Sequence, residues 1–290
     1  MRKFRIGAIA LFIFCVFFHY GFNMFGRLLV DNSYPEITVK NKVITASINA
    51  EEKELLQGVT AYDKKDGDVT ASIIVEKISE FDSDDRRTVT FAAFDSDGHI
   101  SRAEALLEYT DYTPPKISLT SPLKYNIGTN SNFSEYFTCA DCIDGDITHN
   151  INVTYDSAAA ESAMYYGGAF DITATATNSC GDTVSVSTYV EVTQNTYENM
   201  VYTPQIILSD YIAYTQEGKK FDPREYLEGM TIGKDEYTFD GDGDNVIQRS
   251  KVSVDSNVNT SESGQYAVHF SYTAKNGYTG KTDLIVIVYR

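Results

Sequence analysis

The sequence predicts an all-β body of three tandem β-sandwich domains behind a single N-terminal transmembrane helix. Three observations predict it. An uncharged apolar run lies near the N-terminus. Beyond it, short stretches alternate apolar and polar residues with period two. A pattern of proline joint, acidic turn and glycine hairpin then recurs about every 80–90 residues, the size of a seven-stranded sandwich. With 290 residues and a hydrophobic fraction of 42%, the chain can fill ordinary packed cores.

The anchor comes first. Arg2, Lys3 and Arg5 precede residues 6–25, which carry no charge. A helix needs about 20 such residues to cross about 30 Å of hydrocarbon. Only Arg27 follows closely, so the positive-inside tendency puts Met1 in the cytoplasm and the long remainder outside. A cleaved signal peptide would need a short apolar core and small residues at its cleavage site. Here the run ends in Gly21, Phe22, Asn23, Met24 and Phe25, with no A-x-A pattern, and Cys15 follows bulky Phe14 in mid-run, unlike a lipoprotein cysteine. Residues 1–30 are therefore expected to be a cytoplasmic tip and an uncleaved signal anchor. His19 and Tyr20 fit residues nearing the outer interface.

All 41 acidic residues lie beyond Arg27, and the formal charge is −17. A polyanion partner needs a basic stripe to release counterions, so nucleic acid is excluded as a partner. The same charge opposes docking on anionic lipid. Membrane contact is expected through the N-terminal helix alone.

The strands follow. Phe170, Ile172, Ala174 and Ala176 alternate with Asp171, Thr173, Thr175 and Thr177; Tyr266, Val268, Phe270 and Tyr272 alternate with Ala267, His269, Ser271 and Thr273; Val89, Phe91 and Ala93 alternate with Thr88, Thr90 and Ala92. Period two marks half-buried strands. Each is followed by a turn: Asp97-Gly98, Cys180-Gly181 and Asn276-Gly277. Tyr34-Pro35, Thr113-Pro114-Pro115 and Thr203-Pro204 open the repeats as stiff joints. Asp66-Gly67-Asp68 recurs as Asp144-Gly145-Asp146 and, loosely, as Asp242-Gly243-Asp244. No segment shows a long helical period.

The stretches Gly58-Val59-Thr60-Ala61-Tyr62-Asp63, Asp66-Gly67-Asp68-Val69-Thr70 and Ala93-Phe94-Asp95-Ser96-Asp97-Gly98 resemble the bacterial Ig-like surface repeats of the pesticidal-crystal-protein and hyalin-repeat kind. So does the third repeat, through Asn259–Tyr266 and the strand after it. The resemblance covers residues 33–290. It implies three Ig-like domains, at 33–112, 113–194 and 202–290, in an extracellular, surface-attached protein. It implies no activity, because such repeats serve as spacers, adhesins and appendages to enzymes. The chain has no Trp for the buried position of antibody domains.

Cysteines and carboxylates are the only candidate chemistry. Internal alignment places Cys142 at Lys64, Cys180 at Asp97 and Cys139 at Ala61. Hyalin-type repeats often pair cysteines at the two loops that hold Cys142 and Cys180, so the resemblance implies a Cys142–Cys180 disulfide, worth roughly 3–4 kcal/mol through loop closure. Cys139 is then a buried thiol. Other pairings, a Cys139-x-x-Cys142 redox pair or a zinc site with His149 stay open. Calcium is disfavoured: after Asp240, Asp242 and Asp244, Asn245 stands where an EF-hand needs glycine and Lys251 where it needs glutamate. The Asp-Gly-Asp element reads as a turn. No metal and no cofactor are expected.

His19, His99, His149 and His269 lack any catalytic neighbourhood, and no G-x-S-x-G elbow exists. The expectation is a non-enzymatic, membrane-anchored extracellular protein acting as spacer, adhesion or interaction module toward a surface protein or glycan. The alternatives are a carbohydrate-binding module, with Tyr165-Tyr166 or Tyr109 and Tyr112 offering rings, and an accessory subunit of a surface complex docking by a strand edge.

Overall fold

The computed structural model describes residues 12–21, 33–129 and 132–289, and within these it is mostly β-strand. Contacts divide the chain into two compact units, Met1–Asp111 and Tyr112–Arg290.

The first unit opens with helix α1, residues 12–21. The anchor expected over residues 6–25 otherwise lies outside the described residues. At about 1.5 Å per residue, α1 covers about 15 Å, half of a hydrocarbon core. No helix among the described residues is long and apolar enough to cross a membrane.

Strands β1 (Glu36–Val39), β2 (Val43–Ala46), β3 (Val59–Asp63), β4 (Gly67–Asp68), β5 (Ile74–Ile78), β6 (Arg87–Phe94) and β7 (Ile100–Tyr109) follow, with the short helix α2 (Glu52–Leu55) between β2 and β3. They form two sheets, β1-β3-β4 and β2-β7-β6-β5. The alternating residues of β3, β6 and β7 bring Val59, Ala61, Val89, Phe91, Ala93, Ala105 and Leu107 into one core. Phe91 and Leu107 are fully buried, each contributing about 1.5–3 kcal/mol of apolar transfer.

The second unit repeats this plan twice. Strands β8 (Lys116–Leu119), β9 (Lys124–Asn126), β10 (Phe137–Asp141), β11 (Gly145–Asp146), β12 (Asn152–Tyr155), β13 (Gly168–Thr177) and β14 (Thr183–Thr193) form sheets β8-β10-β11 and β9-β14-β13-β12. Strands β15 (Gln205–Leu208), β16 (Ile212–Gln216), β17 (Leu227–Ile232), β18 (Asp235–Thr238), β19 (Ser253–Ser256), β20 (Gly264–Thr273) and β21 (Thr279–Tyr289) form β15-β17-β18 and β16-β21-β20-β19. In all three pairs the second strand runs parallel to the last: β2 with β7, β9 with β14, β16 with β21. The architecture of the described residues is mostly β, each set of seven strands forming a three-stranded and a four-stranded sheet.

One element departs from the sequence reading. A helix, α3 (Ser157–Tyr166), stands between β12 and β13. Its alanines favour helix, the Asp156 carboxylate accepts from the Ala158 and Ala159 N–H groups, and Gly167, at φ 82°, ends it. At ten residues it buries only Ala160 and Ala163, too little to print a periodic stripe.

The second and third sheet pairs share a continuous core, running from Ile117, Phe137 and Ile172 to Met230, Phe270 and Leu284. One backbone bond crosses between them: Tyr211 N–H donates to the Leu119 carbonyl at 3.1 Å. The Tyr214 hydroxyl accepts from Ile117 N–H at 2.9 Å and donates to the Ile117 carbonyl at 3.0 Å. The Asp210 carboxylate accepts from Leu119 N–H at 3.2 Å. The joint before β15, carried by α4 (Tyr197–Tyr202), is also tightly seated: a Cβ at Gly280 would land on the Pro204 carbonyl.

Candidate functional site

Two places collect the polar side chains. The first is the set of loops after β3 and β10. In the first unit the Asp63 carboxylate accepts from Lys65 N–H at 2.7 Å and Asp66 N–H at 3.0 Å. Asp66 then reaches the β6–β7 hairpin, accepting from Ser96 N–H at 2.8 Å and the Ser96 hydroxyl at 2.9 Å. The second sheet pair repeats this. Asp141 accepts from Ile143 and Asp144 N–H, and Asp144 accepts from Ser179 N–H at 2.6 Å and its hydroxyl at 2.7 Å. Gly67 and Gly145, at φ 75° and 72°, make the turns.

These carboxylates hold backbone. The Asp66 N–H bond holds Asp63 below the usual carboxylate range against the upward push of burial, with Lys65 and Ser33 adding to it. At Asp95 burial pushes up, but the His99 backbone and ring bonds prevail and the carboxyl sits low. In the third sheet pair, Asp240 pairs with the Arg249 guanidinium at 2.7 Å, which lowers its pKa. Among the described residues no group of three or more His, Cys, Asp or Glu is arranged to hold a metal.

The cysteines sit in the same loops. Cys142 and Cys180 lie where the alignment put them, in loops clasped by Asp144 and Ser179. They are thiols here, not the expected disulfide. Cys142 Sγ turns to the strand entry instead, donating to the Thr113 carbonyl at 3.1 Å and accepting from Thr113 N–H at 3.4 Å. Cys180 is buried in the β13–β14 turn, its N–H on the Asn178 carboxamide. Cys139 is buried, and burial first, then Asp141 and Asp146, pushes its thiol up to about 11. Such a thiol is a poor nucleophile at neutral pH.

The second place is a cleft of about 1100 Å³ between the second and third sheet pairs. Alternation builds it. On β14 Val186, Val190 and Val192 point inward, leaving Ser187, Tyr189, Glu191 and Thr193 on the outer face. On β20 Val268 and Phe270 point inward, leaving His269 and Ser271 out. Strand register then sets Asp255, His269 and Asp283 in one row across β19, β20 and β21. The Asp283 carboxylate accepts from the Tyr189 hydroxyl at 2.7 Å and lies 2.8 Å from His269 Nδ1. Burial, then Asp283, raises the Tyr189 pKa. Lys124 Nζ donates to the Lys281 carbonyl at 2.7 Å and lies 3.5 Å from Glu191. Gln265 and Ser187 exchange two bonds beside it. Asn126, Asn195, Asn199, Met200 and Tyr278 complete the wall on the α4 side.

The tyrosines named from sequence lie elsewhere. Tyr165 and Tyr166 are exposed, but their rings meet edge-on at 74°, not as a flat platform. Tyr109 packs against Phe81, and the Tyr112 hydroxyl donates to Asp182 at 2.6 Å. Sequence reasoning missed Tyr189, Tyr278, Asp255 and Asp283.

Fold and cleft together define a mostly β chain of paired sheets with an open polar cleft. No protein-family model and no curated protein matches the sequence, so the bacterial repeat resemblance stands on its residues alone. Solved structures are similar. They include the M60 catalytic domain with two CBM51 domains of Clostridium perfringens ZmpB, at 13% identity and TM-score 0.23, over 89% of this chain and 31% of that one. The extracellular domain of protocadherin gammaB4 is 10% identical, TM-score 0.20, over 90% of this chain and 50% of that one. Mouse cadherin-23 EC22-24 is 13% identical, TM-score 0.21, over 89% and 99%. The chain thus spans a third to a half of the first two. Identity this low carries no residue across.

Proposed function

We propose that this is a non-enzymatic, membrane-anchored extracellular protein whose three Ig-like sandwiches, at 33–112, 113–194 and 202–290, act as a surface spacer and interaction module. The observation that carries the reading is α1. Phe12, Phe14, Phe17, Phe18 and Tyr20 are each at least 65% exposed, and at ~100° per residue they spread over about two thirds of the helix circumference. A helix with so broad an exposed apolar surface needs a non-aqueous setting. The uncharged run of residues 6–25 around it supports a membrane span with three cations on the inner side. The acidic, turn-rich remainder suits the outside.

The test expresses the full chain with a C-terminal epitope and treats intact cells with protease. The expected result is loss of the epitope from intact cells, with the protein in the membrane fraction before digestion. An epitope protected until lysis overturns the orientation. Release by alkaline carbonate overturns the anchor.

A further inference from the structure

We propose that the cleft between the second and third sheet pairs is a binding site for an uncharged oligosaccharide, with Tyr278 and Tyr202 as its stacking platform and the Asp255–His269–Asp283 row as its hydroxyl-reading floor. The inference rests on the reading of the chain as an extracellular interaction module and names the ligand class of its cleft.

Three observations converge. The first is the chemistry of the wall. A sugar presents hydroxyls that both donate and accept, and it is held by carboxylates, amides and hydroxyls around a few aromatic rings. The cleft supplies this mixture in Asp255, Asp283, Asn195, Asn199, Ser253 and Ser271. The side chains of Asp255, Lys281 and Ser271 have no hydrogen bond or ion pair with protein among the described residues, though they line the cleft. Asp283 is the opposite: Tyr189 and His269 hold both its oxygens, so the floor is fixed before any ligand arrives.

The second is an aromatic run at one end. Tyr278 lines the cleft, Tyr202 lies 5.5 Å from it with the rings tilted 35°, and Tyr197 lies 6.5 Å beyond, edge-on. Tyr197 is 69% exposed and Tyr202 40%. Tyr197 and Tyr202 belong to α4, the helix whose Asn199 and Met200 line the cleft. A ring face accepts the C–H face of a sugar, and the polar floor beside it then meets the hydroxyl edge.

The third is local charge. The chain carries −17 overall, yet the cleft mixes Lys124, Lys281 and His269 with Glu191, Asp255 and Asp283. A sulfated or sialylated glycan would face three carboxylates and a basic peptide two lysines, so each charged ligand meets like charges. An uncharged chain of sugars meets none.

The test uses the full-length protein in detergent on an array of neutral, sialylated and sulfated oligosaccharides, followed by calorimetric titration of the best neutral oligosaccharide. Binding to at least one neutral oligosaccharide is expected. Tyr278→Ala and, separately, Asp255→Ala should each weaken it at least tenfold. The double substitution of Tyr165 and Tyr166 by alanine, on α3 and outside the cleft lining, should leave it unchanged. Asp255 is exposed on an edge strand, so its variant stays informative if Tyr278→Ala fails to fold. A flat response across the neutral glycans, retention of charged glycans only, or equal binding by the Asp255→Ala protein overturns the site. Loss of binding in the Tyr165 and Tyr166 double variant overturns it too. A chain that protease shaves from intact cells but that binds no neutral glycan would sink this site and leave the surface reading standing.

Discussion

Asp63 shows what the buried carboxylates do. Its ordinary value is 3.8, and the folded protein holds it lower through the Asp66 N–H bond, with Lys65 and Ser33 assisting. A depressed folded value means the unfolded chain binds the proton first as pH falls. The stabilisation is therefore nearly complete above about pH 5, where even the unfolded carboxyl is almost wholly ionised, and it is lost as pH drops through the lowered folded value. Asp63→Asn should be less stable than the parent at pH 7, and the gap should narrow as pH falls through the lowered folded value. Urea unfolding across pH 2–7 checks this, and a gap that persists at the acid end refutes it. Asp68, Asp82, Asp95 and Asp111 shift the same way, so only the difference between parent and variant isolates Asp63.

At the scale of elements, β8 and β16 meet through one hydroxyl. Tyr214 both accepts from and donates to the Ile117 backbone, and its ring carries Lys116 Nζ at 5.5 Å. Tyr214→Phe keeps the ring and orphans two backbone groups, so it should destabilise the second unit by about 1–3 kcal/mol. A shift of the denaturant midpoint in that unit alone, with an unchanged m-value, is the expected readout. Elements were also the scale at which the sequence was most legible. Phe170, Ile172, Ala174 and Ala176 are all buried, as their alternation required, and the Asp66 and Asp144 turns meet the hairpins that the alignment set beside them. The helix α3 was not legible, because alanine carries little hydrophobic contrast. The cleft was not legible either. Lys124, Tyr189 and the His269–Asp283 pair come from three places far apart in the chain, and each residue reads locally as the solvent side of an alternating strand. His269 is 57% exposed as its strand face implied, yet it is held by Asp283, a partner one strand away.

For the whole molecule, the distribution of cores decides how many pieces unfold. One cluster fills the first unit, and a single larger one runs through the second and third sheet pairs. Calorimetry of the full chain should therefore show two unfolding transitions, with β8–β21 melting together. Three separable transitions would refute the shared core. The parallel pairing of second and last strands has a mechanical side. Tension applied at the two ends of a repeat pulls β2 against β7, β9 against β14, and β16 against β21, along their lengths and in opposite senses. Their bonds would have to give way together instead of peeling one at a time, so each repeat resists stretching at the point where the load enters it.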